Sequence, residues 1–449
     1  MRKWNRKWND ESGQILVFAV GGVIVLAGFL ALALDASLLF RSRRNLQIAA
    51  DSAATTAALD YYYNSSSGAT AVTQAEAVGV QAAAIDNVKV VNGTTVDVHC
   101  PVQNGVYKNS TCNGYFEAIV QQPNPTIFMG LFNHNSVTVA TRAVAGTPYV
   151  SNACVYVLNS SGNIGAGGGG NGVGKGDSSV YLFGKFDVSA PNCGMVINGT
   201  ASSDALNMQG GAGSLTAGSI AVVGGVAGAG DSTPTPVTGA APVENPLQAI
   251  SPPTIPASCT SGGSISNTSF VSGACYSGDN KGNLTVTNDT FNGTFIFTGT
   301  GTLTFGGNVT SGANGATIYL QNGGMSENAG TVFTGPAITS TPVPPGCASG
   351  CFAAPSSGSL QGIALMAPST NTNLIEFNFG NSSGTIDGIT YMPGATLYLH
   401  NNSGSGPGLV LDTDLVIGQI DDQAGSVTIN SFSQYNPTIT PLKAVALVE

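Results

Sequence analysis

The segment from Gly169 to Gly176, GGNGVGKG, comes closest to a known cofactor-binding motif. It nearly matches the phosphate-binding loop GxxxxGK[ST], but Gly176 stands where a hydroxyl group should reach Mg²⁺. The strand-like stretch SSVYLFG follows where a helix should present its N-terminus to the phosphate. The sequence therefore predicts a flexible loop, within the Gly- and Asn-rich stretch 165–176, and no cofactor.

The densest acidic set lies near the C-terminal end and consists of Asp412, Asp414, Asp421 and Asp422. A glycoside hydrolase needs two carboxylates, and Asp412 and Asp414 would share one strand face because they are two residues apart. A polysaccharide lyase needs a basic residue, for which only Lys281 and Lys443 remain after residue 185. Turn aspartates at a solvated edge are the favoured interpretation, with a weak Ca²⁺ site left open.

Two further titratable residues, a histidine and an aspartate, are candidates for a functional role because of their positions. His400 precedes Asn401-Asn402 at the end of a predicted strand, which favours a surface histidine over a general base. Asp35 ends an apolar run and is expected to reach water, with pairing to a neighbouring subunit as the alternative. Serine is abundant, but the sequence has no GxSxG elbow to activate one. No catalytic residue and no metal ligand is predicted.

The eight cysteines fall into four local pairs. The pairs are Cys100 and Cys112, Cys154 and Cys193, Cys259 and Cys275, and Cys347 and Cys351. An even number of cysteines in a weakly charged chain favours disulfides in an oxidising compartment. Zinc binding is the alternative, but none of these pairs has the CxxC spacing of a zinc knuckle. The sequence does not fix which cysteines are joined.

Charge is scarce, at 8% of the 449 residues, with a formal net charge of −10. Half of the 14 Lys and Arg residues lie within the first 44 positions. Binding to nucleic acid needs clustered cations on the body of a protein, so that class of partner is excluded.

An uncharged run of twenty residues extends from Ile15 to Leu34. As a helix it would measure about 30 Å, the thickness of the hydrocarbon core of a bilayer. The run is too long for the apolar region of a secretory signal and lacks a clear cleavage site, so a retained transmembrane helix is predicted. The Ala-rich segment that follows predicts one helix from about Gln14 to Asp60, on the order of 70 Å long.

A small α+β domain is predicted after this helix. A second helix fits Thr70–Asp86, and Asn92-Gly93 favours a hairpin between strands at 88–91 and 95–98. Further strands fit residues 115–120 and 136–145, where apolar and polar residues alternate.

Several motifs in residues 1–149 resemble one family. They are SGQ before the apolar span, LALDAS at its end, RRNLQIAADSAATTAA along the helix, PTIFMGLF, and VTVATRAVAG. This pattern is similar to the TadE/TadG-like proteins of the Flp (Tad, tight-adherence) pilus-assembly system. Ser52, Thr55 and Thr56 depart mildly from the family's alanine-rich helix. Gly13 is followed five residues later by Phe18 where the processed pseudopilins have Glu, so the resemblance implies an uncleaved, TadG-type member.

Residues 150–449 differ in composition and predict many short strands separated by turns with Gly or Asn. A right-handed parallel β-helix is favoured over a β-sandwich. The predicted organisation is a cytoplasmic leader (1–13), a transmembrane helix (14–40) continuing as a spine to about 60, a pilin-like head (41–149), a first β lobe (150–230), a Pro-rich linker or strap (231–256) and a β-helix lobe (257–449).

The resemblance and the scarcity of reactive groups together favour a membrane-anchored scaffold of pilus assembly that acts through protein contacts. A surface adhesin and a β-helix polysaccharide-active enzyme are the alternatives. The expected partners are the lipid bilayer and other pilus-assembly proteins or pilins, with a second copy of the chain as a further option. The expected location is a bacterial inner membrane, with the N-terminus cytoplasmic and the body periplasmic or extracellular.

Overall fold

The computed structural model describes residues 12–64, 69–85, 93–150, 152–161, 178–209, 213–228, 230–328, 330–337, 343–347, 349–378, 383–400, 409–423 and 425–449. The chain divides into two compact units. We call them the head unit (Met1–Pro148 with Val445–Glu449) and the β unit (Tyr149–Ala444). The predicted hairpin strand at 88–91 and the Gly-rich loop at 165–176 lie outside the described residues.

The helices are α1 (Ser12–Asn64), α2 (Ala69–Ile85) and the short α3 (Phe432–Tyr435), with 3₁₀ turns at Met129–Phe132 and Pro345–Cys347. The strands are β1 (Thr95–His99), β2 (Phe116–Pro125), β3 (Ser136–Val150), β4 (Ala153–Val157), β5 (Val180–Phe183), β6 (Asp187–Ile197), β7 (Leu206–Gln209), β8 (Ser214–Val222), β9 (Val226–Gly228), β10 (Asp231–Thr233), β11 (Val237–Thr238), β12 (Thr260–Ser261), β13 (Ser264–Ser266), β14 (Ser269–Phe270), β15 (Ala274–Gly278), β16 (Leu284–Phe297), β17 (Thr302–Leu320), β18 (Gly324–Glu327), β19 (Val332–Thr334), β20 (Phe352–Ala353), β21 (Ile363–Met366), β22 (Leu374–Asn378), β23 (Ser383–Gly384), β24 (Ile386–Asp387), β25 (Ile389–His400), β26 (Leu409–Asp412), β27 (Leu415–Gln423), β28 (Ser426–Asn430) and β29 (Lys443–Leu447).

The long helix α1 has 53 residues, which corresponds to about 80 Å. It is long and apolar enough to cross a membrane. Its C-terminal half packs into the head core through small side chains, where Ala53 and Ala57 are fully buried. A Cβ at Gly79 of α2 would lie 2.8 Å from the Ala53 carbonyl oxygen, so a glycine at this point permits the close approach of the two helices.

The sheet of the head unit has the strand order β1-β2-β3-β29. The pairs β1–β2 and β2–β3 are antiparallel. The C-terminal residue is tied to β3, because the Val144 N–H donates to the Glu449 carbonyl oxygen at 2.8 Å. The inner face of the sheet, with Phe116, Ala118 and Val120, covers the alanine face of α1 and completes the core.

Parallel pairing dominates the β unit, where β4–β28 belong to one 25-stranded sheet. The chain returns repeatedly to the same ladder, so equivalent apolar residues stack above one another inside the unit. One such column runs through Leu284, Leu303, Met325, Ile375, Leu397, Ile420, Val180, Leu206 and Val226. The region is therefore all-β with a parallel sheet and an apolar interior.

The chain order within this stack is unusual. From residue 153 the strands proceed to one end of the stack at β11, and from residue 260 they begin again at the other end. The two series meet in the middle, where β27 pairs with β4 and β5. The segments predicted as two separate lobes therefore share continuous ladders, because parallel pairing joins residues far apart in sequence.

Residues 239–259, which we call the strap, connect the two ends. A second column of side chains, which shares a cluster with the strap, includes Cys275, Ile296, Tyr319, Met366, Tyr391, Val416 and Tyr156. Nine ladder steps from Val237 to Cys275 correspond to about 43 Å. The extended strap can span about 65 Å, which is enough for this distance.

The strap is held along its length. Val243 exchanges two hydrogen bonds with the Asn198 side chain, at 2.6 and 2.9 Å. The Asn245 amide donates to the Tyr391 hydroxyl at 2.8 Å, and Leu247 is 1% exposed. The Pro-rich segment therefore packs as a strap against the β unit.

The eight cysteines lie at disulfide distance in the four local pairs named above. The Cα–Cα distances are 5.0, 5.5, 4.8 and 5.0 Å in chain order. Cys259–Cys275 joins the C-terminal end of the strap to the column that it covers.

Candidate functional site

The apolar side chains of the N-terminal half of α1 are uncovered. Leu16 is 66% exposed, Phe29 67% and Phe40 70%. The apolar surface from Leu16 to Phe40 extends over about 37 Å, and the exposed Arg41, Arg43 and Arg44 follow it. Of the predicted ends of the span, Leu34 is 54% exposed, and Ile15 lies in α1 with its side chain outside the described set.

The β2–β3 hairpin runs alongside α1 toward this apolar surface. The Tyr61 and Phe116 rings are 5.4 Å apart at one end. Further along, the Ser42 hydroxyl donates to the Asn124 side-chain oxygen at 2.7 Å. Residues later in β2 contact residues earlier in α1, so the two elements run in opposite directions. The end of the hairpin therefore reaches the part of α1 before residue 40.

Asp35 fastens the hairpin to α1. Its carboxylate accepts hydrogen bonds from the backbone N–H groups of Ile127 at 3.0 Å, Phe128 at 2.9 Å and Met129 at 2.7 Å. Asp35 is only 2% exposed. The prediction that it reaches water was wrong, because the first N–H groups of the 3₁₀ turn lack partners and the carboxylate supplies them.

The hairpin tip, residues 126–135, is internally hydrogen-bonded and carries apolar side chains. The N–H groups of Asn133 and His134 donate to the carbonyl oxygens of Gly130 and Met129, each at 3.1 Å. Asn133 has φ 68°, which turns the chain back toward β3. Ile127 and Phe132 are 64% and 75% exposed.

A groove of about 370 Å³ lies between the tip and α1. It is lined by Val25, Gly28, Phe29, Ala31, Leu32, Phe128 and Phe132. Every lining residue is apolar, so this groove is suited to hydrocarbon and not to a charged or sugar-like ligand.

Residues 13–60 match the family model described as "Putative Flp pilus-assembly TadE/G-like". The chain carries a TadE/G-like segment. The matched residues lie entirely within α1 and include both its uncovered apolar half and Asp35. This confirms the resemblance for the motifs that fall within residues 13–60, whereas PTIFMGLF and VTVATRAVAG lie beyond the matched residues. The match associates the chain with Flp pilus assembly. Comparison with curated proteins and with solved structures gives no match.

Far from the TadE/G-like segment in sequence, the aspartates near the C-terminal end of the β unit are buried. Asp412 and Asp414 are each 0% exposed. Asp412 accepts from the Asn430 side chain at 2.7 Å and from the Gly346 N–H at 2.8 Å. Asp414 accepts from the Ser431 hydroxyl at 2.8 Å and from the N–H and hydroxyl of Ser433. The interpretation as a solvated edge was wrong, because these residues face hydrogen-bond donors inside the unit.

Burial raises the pKa values of this group. It raises the pKa of Asp387 to about 7, with the neighbouring Asp412 charge adding to the effect. It raises the pKa of Asp414 to about 6 against its hydroxyl and N–H donors. It raises the pKa of Asp422 to about 8, and the Asp421 charge adds to it. Raised carboxylate pKa values are common at active sites, but Asp387, Asp414 and Asp422 are each at most 4% exposed.

The sulfur atoms of Cys347 and Cys351 and a carboxylate oxygen of Asp387 lie within 4.8 Å of one another. Such a spacing would suit a metal ion. The two sulfur atoms are at disulfide distance from each other, and a disulfide has no thiolate to offer a metal. This group therefore acts as a covalent staple beside Asp387.

His400 is 8% exposed and lies 2.6 Å, through Nε2, from a Glu376 carboxylate oxygen. Its ring stacks on Tyr398 at 4.7 Å between centroids. The prediction of a surface histidine was wrong, because the parallel pairing of β22 with β25 puts Glu376 beside Tyr398, two residues before His400 on the same face of the strand. The sequence signal that could have shown the burial of β25–β27 is the run of apolar residues flanking these polar ones.

Proposed function

We propose that this chain is a single-pass, membrane-anchored scaffold of Flp pilus assembly that acts through protein contacts. The observation that supports it is the position of the TadE/G-like match. Residues 13–60 contain an uncovered apolar segment and a segment built into the head core, so one helix both anchors and positions the head.

The proposed topology places the N-terminus in the cytoplasm and both units on the other side of the inner membrane. Four Lys or Arg residues precede the apolar run and three follow it, so the positive-inside count is nearly balanced. The paired cysteines support this orientation, because disulfides persist in an oxidising compartment.

We further propose that the β unit is a right-handed β-helix that serves as a rigid spacer or contact surface. The crossover connections between parallel strands of one sheet are right-handed in nearly all proteins. The continuous inner column and the strap along one face both support a stiff body.

The aspartates support contact rather than catalysis. Hydrolysis of a glycosidic bond requires two carboxylates that reach the sugar. Asp412 and Asp414 instead hold the segment 430–433 through donors on Asn430, Ser431 and Ser433. Their role in this proposal is structural.

The test is deletion of the gene in its native host, followed by electron microscopy of pili and co-purification with a tagged copy of the full chain. We expect pili to be lost, to return with the wild-type copy, and pilus-assembly proteins to be captured. Normal pili in the deletion strain would overturn the proposal, and loss of surface attachment with normal pili would favour an adhesin.

A matched pair of variants addresses the enzyme alternative. Asp414→Asn retains the size and part of the hydrogen bonding of a buried carboxylate, and Asp231→Asn alters an exposed one. If contact is the function, both variants should restore piliation when they accumulate to wild-type levels. Loss of piliation by a well-folded Asp414→Asn chain would favour catalysis.

A further inference from the structure

We propose that the hairpin tip inserts into the bilayer beside α1 and contacts lipid acyl chains. This inference rests on the proposal that α1 spans the membrane and adds a second membrane contact, made by the head unit itself. The juxtaposition that carries it is the tip lying against residues 25–35 of α1.

The position of the tip along α1 corresponds to the depth of the hydrocarbon. The groove residues from Val25 to Leu32 precede Arg41 by sixteen and nine positions, which correspond to about 24 and 13 Å along the helix. Arginines that end a transmembrane segment lie at the headgroups. With Arg41 at that level, Phe128 and Phe132 lie at the depth of the hydrocarbon.

The side chains of the tip are suited to hydrocarbon. Ile127 and Phe132 are mostly exposed, and Phe128 is half-buried against α1. Large apolar side chains clustered on a loop are costly in water, since each fully buried one is worth about 1.5–3 kcal/mol. The polar residues Asn133, His134 and Asn135 follow on the returning arm, where Asn135 pairs with Thr126 at 3.2 Å.

The backbone of the tip has hydrogen-bond partners within the head unit. A loop in hydrocarbon must satisfy its polar groups internally, because no water is available to them. The Asp35 carboxylate accepts three consecutive N–H groups, and carbonyl oxygens accept those of Thr126, Asn133 and His134. A loop built only for water would not need a buried carboxylate to cover its amides.

The test uses tryptophan fluorescence of the full chain in lipid vesicles. The chain has two tryptophans, Trp4 and Trp8, both before α1, so Trp4→Phe with Trp8→Phe gives a background free of tryptophan. Phe132→Trp then reports on the tip. Phe29→Trp on α1 is the membrane control, and Val106→Trp, at a site 87% exposed, is the water control.

Vesicles of phosphatidylcholine with brominated acyl chains quench tryptophans that touch the hydrocarbon. We expect Phe132→Trp to be quenched to a fraction similar to Phe29→Trp and to emit at shorter wavelength than Val106→Trp. Ile127→Trp provides a second tip position and should behave in the same way.

Four outcomes separate the possibilities. Quenching of Phe132→Trp by brominated lipid supports the proposal. Long-wavelength emission with quenching only by aqueous iodide overturns it. Short-wavelength emission without lipid quenching also overturns it, in favour of a tip covered by a second copy of the chain. If Phe29→Trp is also not quenched by the brominated lipid, the result contradicts the proposed transmembrane helix rather than the proposal for the tip.

Discussion

The Asp35 carboxylate is the residue on which the position of the hairpin tip depends. It accepts three backbone N–H groups from residues 92 to 94 positions away. We expect Asp35→Ala to leave these amides without an acceptor, at a cost of about 1.5–3 kcal/mol per hydrogen bond to the charged group. Hydrogen exchange of the full chain in nanodiscs should show faster exchange at residues 127–129.

Ser37→Ala is the matched control for this change. Ser37 lies half a turn further along α1, and its hydroxyl donates only to the Leu34 carbonyl oxygen at 2.8 Å. Its removal should leave the tip unaltered. Equal exchange at residues 127–129 in Asp35→Ala and Ser37→Ala would show that the carboxylate does not hold the tip.

The Asp422 carboxylate is expected to destabilise the protein as pH rises. It is 0% exposed, and within the described part of the chain its two oxygens make no hydrogen bond of ordinary distance and angle. Burial raises its pKa, and the nearby Gly425 N–H opposes this only in part. Its pKa of about 8 lies above the unfolded value, so its contribution is favourable at low pH and is lost as pH rises from about 4 to 8. Asp422→Asn should raise the free energy of unfolding at pH 8 by on the order of 1 kcal/mol or more.

Urea unfolding of the detergent-solubilised chain, followed by circular dichroism, measures this difference at pH 5 and pH 8. The gain from Asp422→Asn should shrink at pH 5, where the Asp422 side chain is neutral in the folded protein. Asp231→Asn, at an exposed aspartate, should alter neither value. A gain of equal size at both pH values would contradict ionisation as its cause.

At the scale of elements, the strap closes the outer column of the β unit. Leu247 is a buried apolar side chain of the strap, at 1% exposed. Leu247→Ala should lower the free energy of unfolding by about 2–5 kcal/mol, because it leaves a cavity over the column. Thermal unfolding should show a lower midpoint, whereas Val237→Ala, at a residue 65% exposed, should not.

The elements differ in how far the sequence could predict them. The helix α1 was predicted to within a few residues at each end, since its apolar run and its alanine face are local patterns. The parallel pairing of Leu415–Ile417 with Val155–Val157 was not predicted, because it joins residues about 260 positions apart. The strap was foreseen as one of two options, since proline-rich composition alone does not show what it covers.

In the candidate site, too, local patterns could be predicted from the sequence and contacts between distant residues could not. The apolar segment of α1 is a property of consecutive residues and could be predicted. The partners of Asp35 and of His400 come from distant strands or turns, so only their types and not their environments could be inferred. Burial of Asp412 and Asp414 required knowledge of which ladder lies beside β26.

At the scale of the whole molecule, the two units should respond to pH in opposite directions. In the head unit, burial opposes ionisation of Glu117, but hydrogen bonds from Arg142, Gln103 and His99 hold its pKa below the usual range. Its contribution to stability is therefore present above the unfolded pKa, near 4, and is lost as pH falls through the lower folded value. In the β unit, Asp387, Asp414 and Asp422 have raised pKa values, so their contribution is present below the unfolded pKa, near 4, and is lost as pH rises from there through the folded values of about 6 to 8.

Hydrogen exchange of the full chain, corrected for the intrinsic effect of pH, resolves the two units in one experiment. Acidification below about 4 should first open β2 of the head unit, and a rise in pH from about 4 to 8 should first open β26–β28 of the β unit. Arg142→Met removes the guanidinium group beside buried Glu117 and should cost about 3–5 kcal/mol, moving the acid opening of the head to higher pH. The β unit should be unaffected by this variant, since the cause lies in the head. Simultaneous opening of both units at one pH would show instead that they unfold as a single cooperative body, and the separate roles proposed for a membrane-held head and a rigid β unit would lose their thermodynamic basis.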